Sequence, residues 1–133
     1  MSRARVSDRI ARAVAALPLR PGLRVLEIGC GPGVAARAVA RIVGPSGFVL
    51  GIDRSAVAVA QAERGSAAEI AAGMLAFRTV AAEDFVLDPG EVPFDLAFAL
   101  RVGALDGRHP AAGALALPRI AAALVPGGRL FVD

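Results

Sequence analysis

The sequence predicts an α/β fold, a mainly parallel sheet of about five strands with helices on both faces. Three observations carry that prediction. Short strand-like apolar runs alternate with longer helical stretches, the arrangement that builds parallel sheets through helical crossovers. The run Phe94 to Leu100 (FDLAFAL) is almost continuously apolar, as suits a strand buried on both faces. Hydrophobic residues make up 56% of the 133 residues, enough for one domain around one sizeable core.

The elements follow in chain order. Val6, Ile10, Val14 and Leu17 fall on one helical face, and Arg5, Asp8, Arg9 and Arg12 on the other. That pattern predicts a helix laid against the core, with Ser7 or Asp8 as its N-cap. Leu19-Arg20-Pro21-Gly22 ends it, so residues 1–22 form a helix and turn ahead of a core spanning 23–133. Arg24 to Ile28 (RVLEI) is the first strand, Gly29 to Gly33 a tight loop, and Val34 to Val43 a helix stopped by Gly44-Pro45. Phe48 to Ile52 is the second strand, with Asp53 at its carboxyl end. Ser55 caps a helix that runs to about Ala72 with a break near Gly65. Leu75 to Val80 and Phe94 to Leu100 are the third and fourth strands. A helix over Ala111 to Leu124 is interrupted or started near Pro118. Pro126-Gly127-Gly128 then turns into a last strand, Arg129 to Val132.

Composition excludes several classes. The apolar content rules out a disordered chain. The longest charge-free run, Ile42 to Ile52, is too short to span a bilayer and contains Gly44, Pro45 and Gly47. One cysteine, Cys30, excludes an internal disulfide framework and a Cys-rich zinc site, and with one histidine, His109, a His-based metal site would need several carboxylates as well. Glu83, Asp84 and Asp106 have no metal-ligand spacing. The net charge of +3 comes entirely from arginine, scattered from Arg3 to Arg129, which matches a GC-rich coding bias. Without Trp, Tyr or a dense basic run there is no platform for nucleic acid. The arginine-rich start faintly resembles a transit peptide, but its amphipathic face and the lack of a cleavage-like exit predict a cytoplasmic chain.

Chemistry concentrates at the strand ends. Glu27-Ile28-Gly29-Cys30-Gly31-Pro32-Gly33 has the form E-x-G-x-G-x-G between a strand and a helix, with an acid, Asp53, 24 residues after Gly29. Glycines there let the backbone turn sharply and meet a ligand closely. A dinucleotide requires G-x-G-x-x-G, and the third glycine of that pattern is replaced by Val34. Pro32 removes an N–H that would cradle phosphate, and the charge of Glu27 would repel it. A ligand bearing an ammonium and a sulfonium reverses that sign, so electrostatics favour S-adenosylmethionine over NAD.

Five segments occur in order: VLEIGCGPG (Val25 to Gly33), GIDRS (Gly51 to Ser55), AAEDF (Ala81 to Phe85), FDLAFAL and LVPGGRLFV (Leu124 to Val132). Together the chain resembles the class I S-adenosylmethionine-dependent methyltransferases of the small-molecule type, over nearly its whole length. The resemblance implies a Rossmann-like three-layer sandwich. It also implies that Glu27 and the backbone at Gly29 and Gly31 serve the methionine end of the cofactor, with Cys30 and Gly33 also in the cofactor-binding loop. Asp53 would accept hydrogen bonds from the ribose hydroxyls, and Arg54 would lie along the adenine. The Ala82 N–H would meet the adenine ring with Glu83 nearby, and the backbone at Leu100 and Arg101 would close over the methionine moiety. Ala81 stands where the family carries an acid. Ala99-Leu100-Arg101-Val102 stands where amino-group methyltransferases carry N-P-P-[YF], which argues against methylation of adenine or glutamine amide.

Cys30 reads as a small side chain filling the loop rather than a nucleophile. His109, in a loop after the fourth strand, is the candidate general base toward an acceptor hydroxyl, beside the plainer reading of a solvated histidine. The implied reaction is transfer of a methyl group to a small-molecule acceptor by in-line displacement. The alternatives are a non-catalytic or partner-dependent cofactor-binding module and, less favoured, a nicotinamide-dependent oxidoreductase. Such methyltransferases usually continue past the fifth strand into a hairpin, which this sequence lacks, ending at Asp133. The expected consequences are a bare fifth-strand edge that self-associates or pairs with another chain, or a fragment of a longer protein, with weak turnover alone.

Overall fold

The computed structural model describes residues 7–133. Val6 and Arg5, placed above on the two faces of the first helix, lie outside the described residues. Helix α1 (Asp8–Ala15) starts at Ser7, whose hydroxyl accepts the Ile10 N–H at 3.2 Å. Five strands follow: β1 (Arg24–Ile28), β2 (Phe48–Asp53), β3 (Leu75–Thr79), β4 (Phe94–Ala99) and β5 (Leu124–Val132). Between them lie α2 (Val34–Val43), α3 (Ala56–Arg64), α4 (Ala67–Ala71) and α5 (Pro110–Ala122). The helix expected to run to Ala72 is split at Gly65-Ser66 into α3 and α4.

The sheet has the order β3-β2-β1-β4-β5 and all its pairings are parallel. The chain winds from β1 out to β3, then crosses back to β4 on the other side of β1. That reversal places a crevice beyond the carboxyl ends of β1 and β4. Side chains alternate across the central strands. Val25, Val49, Leu96 and Phe98 pack with α1 and α2, whereas Leu26, Ile28, Leu50, Ile52, Ala97 and Ala99 pack with α5. Glu27 follows the same alternation and therefore points into the α2 face, 2% exposed. This is the Rossmann-like three-layer arrangement expected, with the strand spans largely as read. No helix among the described residues is long and apolar enough to cross a membrane.

Two expectations about the last third are corrected. Pro118 neither interrupts nor starts a helix, because α5 runs through it. The residue lies on the solvent side, so the Ala114 carbonyl that loses its donor is left to water, while Gly113, Ala116 and Ile120 keep the buried face continuous. Leu124 opens β5 rather than closing the helix, and Pro126-Gly127-Gly128 forms an irregularity within β5. Phe94 pairs with Leu124 but Leu96 with Arg129, and the extra residues are absorbed by Gly127 at φ 83°. β5 is the sheet edge, with Leu130 and Phe131 half-buried and Val132 exposed.

Gly47, between α2 and β2, is fixed by backbone crowding. A Cβ there would lie 2.5 Å from the carbonyl oxygens of both Leu23 and Val43, neither of which is free to swing aside. Gly47→Ala is expected to destabilise the fold by about 1–3 kcal/mol in urea unfolding. A loss below about 0.5 kcal/mol would show that the turn relaxes around a methyl group.

Candidate functional site

The loop after β1 is a left-handed turn at three positions, Gly29 (φ 68°), Gly31 (φ 53°) and Gly33 (φ 88°). At Gly29 a Cβ would strike the Val102 side chain at 2.6 Å, whereas nothing lies within 4 Å of one at Gly31. Gly31 therefore answers to conformation alone, and its backbone is open to a ligand.

Asp53, the last residue of β2, holds this loop. One carboxylate oxygen accepts the Gly31 N–H and the other the Ser55 N–H, both at 2.9 Å. The Cys30 N–H also donates to the Ile52 carbonyl at 2.9 Å. On the far side Arg37, from α2, donates to the Pro32 carbonyl at 3.1 Å and to the Ser66 hydroxyl at 2.9 Å. Ser66 is fully buried, so Arg37 ties the loop to the α3–α4 corner. The sequence singled out neither Arg37 nor Ser66. The one signal, glycines at 33 and 65 where a Cβ would come within 3.0 Å of the Arg37 guanidinium, acquires meaning only in three dimensions.

Glu27 is the site's electrostatic anomaly. It is buried and its Oε1 has no hydrogen-bond partner. Burial pushes its carboxyl well above the usual carboxylate range, the charge of Asp53 adds to the rise, and the Ala36 amide opposes it. Cys30 is buried beside both acids. Burial first, then the charges of Glu27 and Asp53, push its thiol up to about 12, so it stays protonated and fills space rather than attacking.

The crevice has two halves that share Gly29. One, about 220 Å³, is lined by Ile52, Asp53, Arg54, Val80, Ala82, Glu83, Arg101 and Val102 among others. The second, about 190 Å³, is lined by Arg9, Glu27, Cys30, Gly31, Pro32 and Leu100 with their neighbours. Asp53, Arg54, Ala82 and Glu83 thus gather in one half, and Glu27, Cys30, Gly31 and Leu100 in the other. Gly33 lies behind, at the start of α2, lining neither half. Arg101, expected beside Leu100, lines the first half instead. His109 lines neither: it is exposed just ahead of α5, its N–H bonded to the Gly103 carbonyl at 2.9 Å. No group of three or more metal-ligating side chains forms among the described residues.

The donor set fits a cationic amino-acid nucleoside. A buried carboxylate with one oxygen unpartnered suits an ammonium, the open Gly31 backbone suits a close ligand, and each Asp53 oxygen keeps a lone pair for a diol.

Residues 25–128 match a family described as a methyltransferase domain. The chain is 37% identical over 121 residues to an uncharacterized 37.1 kDa protein in transposon TN4556 of Streptomyces fradiae, covering 88% of this chain and 31% of that protein. Its fold superposes on a SAM-dependent methyltransferase from Geobacter sulfurreducens, solved with S-adenosyl-L-homocysteine. The TM-score is 0.71 at 27% identity, covering 96% of this chain and 47% of that one. A SAM-dependent methyltransferase from Thiobacillus denitrificans, solved with the same compound, gives a TM-score of 0.69 at 30% identity, covering 95% and 48%. The chain therefore spans about half the length of these solved structures and about a third of the transposon protein.

Because the folded value of the Glu27 carboxyl exceeds its unfolded one, the stability it confers is complete below about pH 4.5 and is lost as pH rises through the folded value. Glu27→Gln removes that loss. Urea unfolding of the ligand-free chain should find the variant more stable than wild type at pH 8, with the gap closing toward pH 4.5. A gap independent of pH would show that Glu27 titrates normally.

Proposed function

The chain belongs to the class I S-adenosylmethionine-dependent methyltransferases, and from that premise we propose that it transfers a methyl group to a small-molecule acceptor. The observation that carries this reading is the buried Glu27, its Oε1 unpartnered, lining the same half of the crevice as the glycine loop that Asp53 holds. S-adenosylmethionine supplies a methyl group already activated on a positively charged sulfur. The chain's own residues bind and align. Glu27 provides the negative charge for the ammonium, Asp53 both shapes the loop and receives the ribose hydroxyls, and Arg54, Ala82 and Glu83 border the adenine. Leu100 covers the methionine side, so that alignment of cofactor and acceptor is the chain's main contribution. No side chain is assigned as a general base, and none is needed for an acceptor that arrives deprotonated. The sequence at Ala99-Leu100-Arg101-Val102, without N-P-P-[YF], supports a small molecule over a nucleic-acid base or a protein amide.

The exposed edge of β5 favours a second reading, a partner-dependent module in which a second copy or another polypeptide pairs with that edge. Light scattering at high concentration separates the two, since a clean monomer with robust methyl transfer sinks the partner-dependent version.

Calorimetric titration with S-adenosylmethionine and S-adenosylhomocysteine tests the main reading, which falls if neither binds. A carboxylate hydrogen-bonded to a diol contributes roughly 1.5–3 kcal/mol. Asp53→Ala should therefore weaken binding about ten- to a hundredfold or somewhat more, with the fold intact by circular dichroism. Glu27→Gln should weaken S-adenosylmethionine binding without creating affinity for NADH. Micromolar NADH binding by the wild type would overturn the assignment of the loop.

A further inference from the structure

Beside the crevice lies a cleft of about 400 Å³ lined by Arg9, Arg101, Asp106, Arg108 and Asp133. Arg101 also lines the Asp53 half of the crevice, and Arg9 also lines the Glu27 half. The sulfur of S-adenosylmethionine joins the adenosine to the methionine chain. A cleft that shares a lining arginine with each half adjoins both, where an acceptor would have to approach a cofactor laid across them.

The charges in the cleft are unevenly matched. Arg108 holds Asp106 through Nε at 3.0 and 2.8 Å, and Arg9 holds Asp133 at 2.9 Å. Arg101 has no ion-pair partner among the described residues. Its backbone is also unusual, with φ 55° in the left-handed region that glycine occupies without strain. Two contacts keep it there. The Arg101 N–H donates to the Asp133 carbonyl at 3.2 Å, and the Arg101 carbonyl accepts from Arg108 Nη2 at 2.8 Å. A strained turn that carries an unmatched guanidinium at the meeting of two cavities points to a use for that side chain.

We propose that this cleft is the acceptor site and that the acceptor carries a carboxylate, anchored by the Arg101 guanidinium. The planar fork of arginine matches a carboxylate through two parallel hydrogen bonds, which fixes orientation as well as position. Asp106 and Asp133 do not cancel the attraction, because each is already matched by its own arginine. The proposal rests on the methyltransferase reading above and narrows its acceptor to an anionic small molecule.

The test uses the full chain saturated with S-adenosylhomocysteine and titrated with benzoate and with its neutral isostere benzamide. Benzoate is expected to bind about tenfold tighter or more, and to lose that advantage as salt is raised. Arg101→Gln should abolish the preference and Arg101→Lys should restore part of it. Equal binding of the two probes by the wild type overturns the proposal without requiring any variant to fold, and so does a preference that survives in Arg101→Gln. If Arg101→Gln weakens S-adenosylhomocysteine but not methylthioadenosine, which lacks the amino-acid tail, and the wild type shows no preference for benzoate, Arg101 serves the cofactor's carboxylate and the proposal fails. A wild type that binds no S-adenosylhomocysteine brings down the methyltransferase reading and this proposal with it. Failure of the probes alone leaves that reading standing.

Discussion

The site depends on one carboxylate. Asp53 stands at the end of β2 and accepts one N–H from the loop after β1 and another from the residue that caps α3. Those two bonds join neighbouring strand ends, so the loop cannot open without disturbing the entry to α3. The parallel register of β1 on β2 sets Glu27 opposite Gly51 and Ile28 opposite Ile52, which brings the loop within reach of Asp53. Arg37 performs the matching task from behind, between the Pro32 carbonyl and the buried Ser66. The loop is thus shaped before any ligand arrives, and the entropy of ordering it is met during folding rather than binding.

The same architecture sets two acids close together in a poorly solvated place. Both Asp53 oxygens accept backbone donors, whereas Glu27 lies buried with an oxygen unanswered. A buried carboxylate with one oxygen unanswered is costly to ionise in the free chain, and a cationic ligand would relieve that cost. On the proposed reading, stability and function pull against each other at Glu27, since the charge that would hold the cofactor is the one that burial disfavours. Cys30 records the same field, since a thiol beside two carboxylates is held protonated. A nucleophilic role would need the opposite surroundings.

Positive charge gathers at the other rim. Arg9 comes from the N-terminal helix, while Arg101 and Arg108 come from the segment between β4 and α5. Residues separated by about 100 positions meet because β4 crosses back beside β1 and because α1 packs on α2. With Asp106 and Asp133 matched by Arg108 and Arg9, the rim keeps one arginine in excess, opposite the carboxyl of Glu27, the polarity that the proposed cofactor and acceptor require.

Much of this was legible in the sequence because the signals are local. Apolar runs of strand length, glycines at 29, 31 and 33, the acid after β2 and the serine caps at Ser7 and Ser55 each act within a few residues. Together they determined the parallel α/β fold, the loop and the sign of the ligand's charge. The passage through Pro118 was not legible, because whether a proline breaks a helix depends on which side of it meets water. Nor was the irregularity in β5, where the partner strand decides whether Pro126-Gly127-Gly128 is a turn or a bulge. Arg37 locking onto Ser66, the left-handed turn at Arg101 and the placing of Arg101 and Leu100 in different halves of the crevice belong to the tertiary structure alone. Each depends on contacts between segments far apart in the chain, and no local propensity encodes which distant partner will be there.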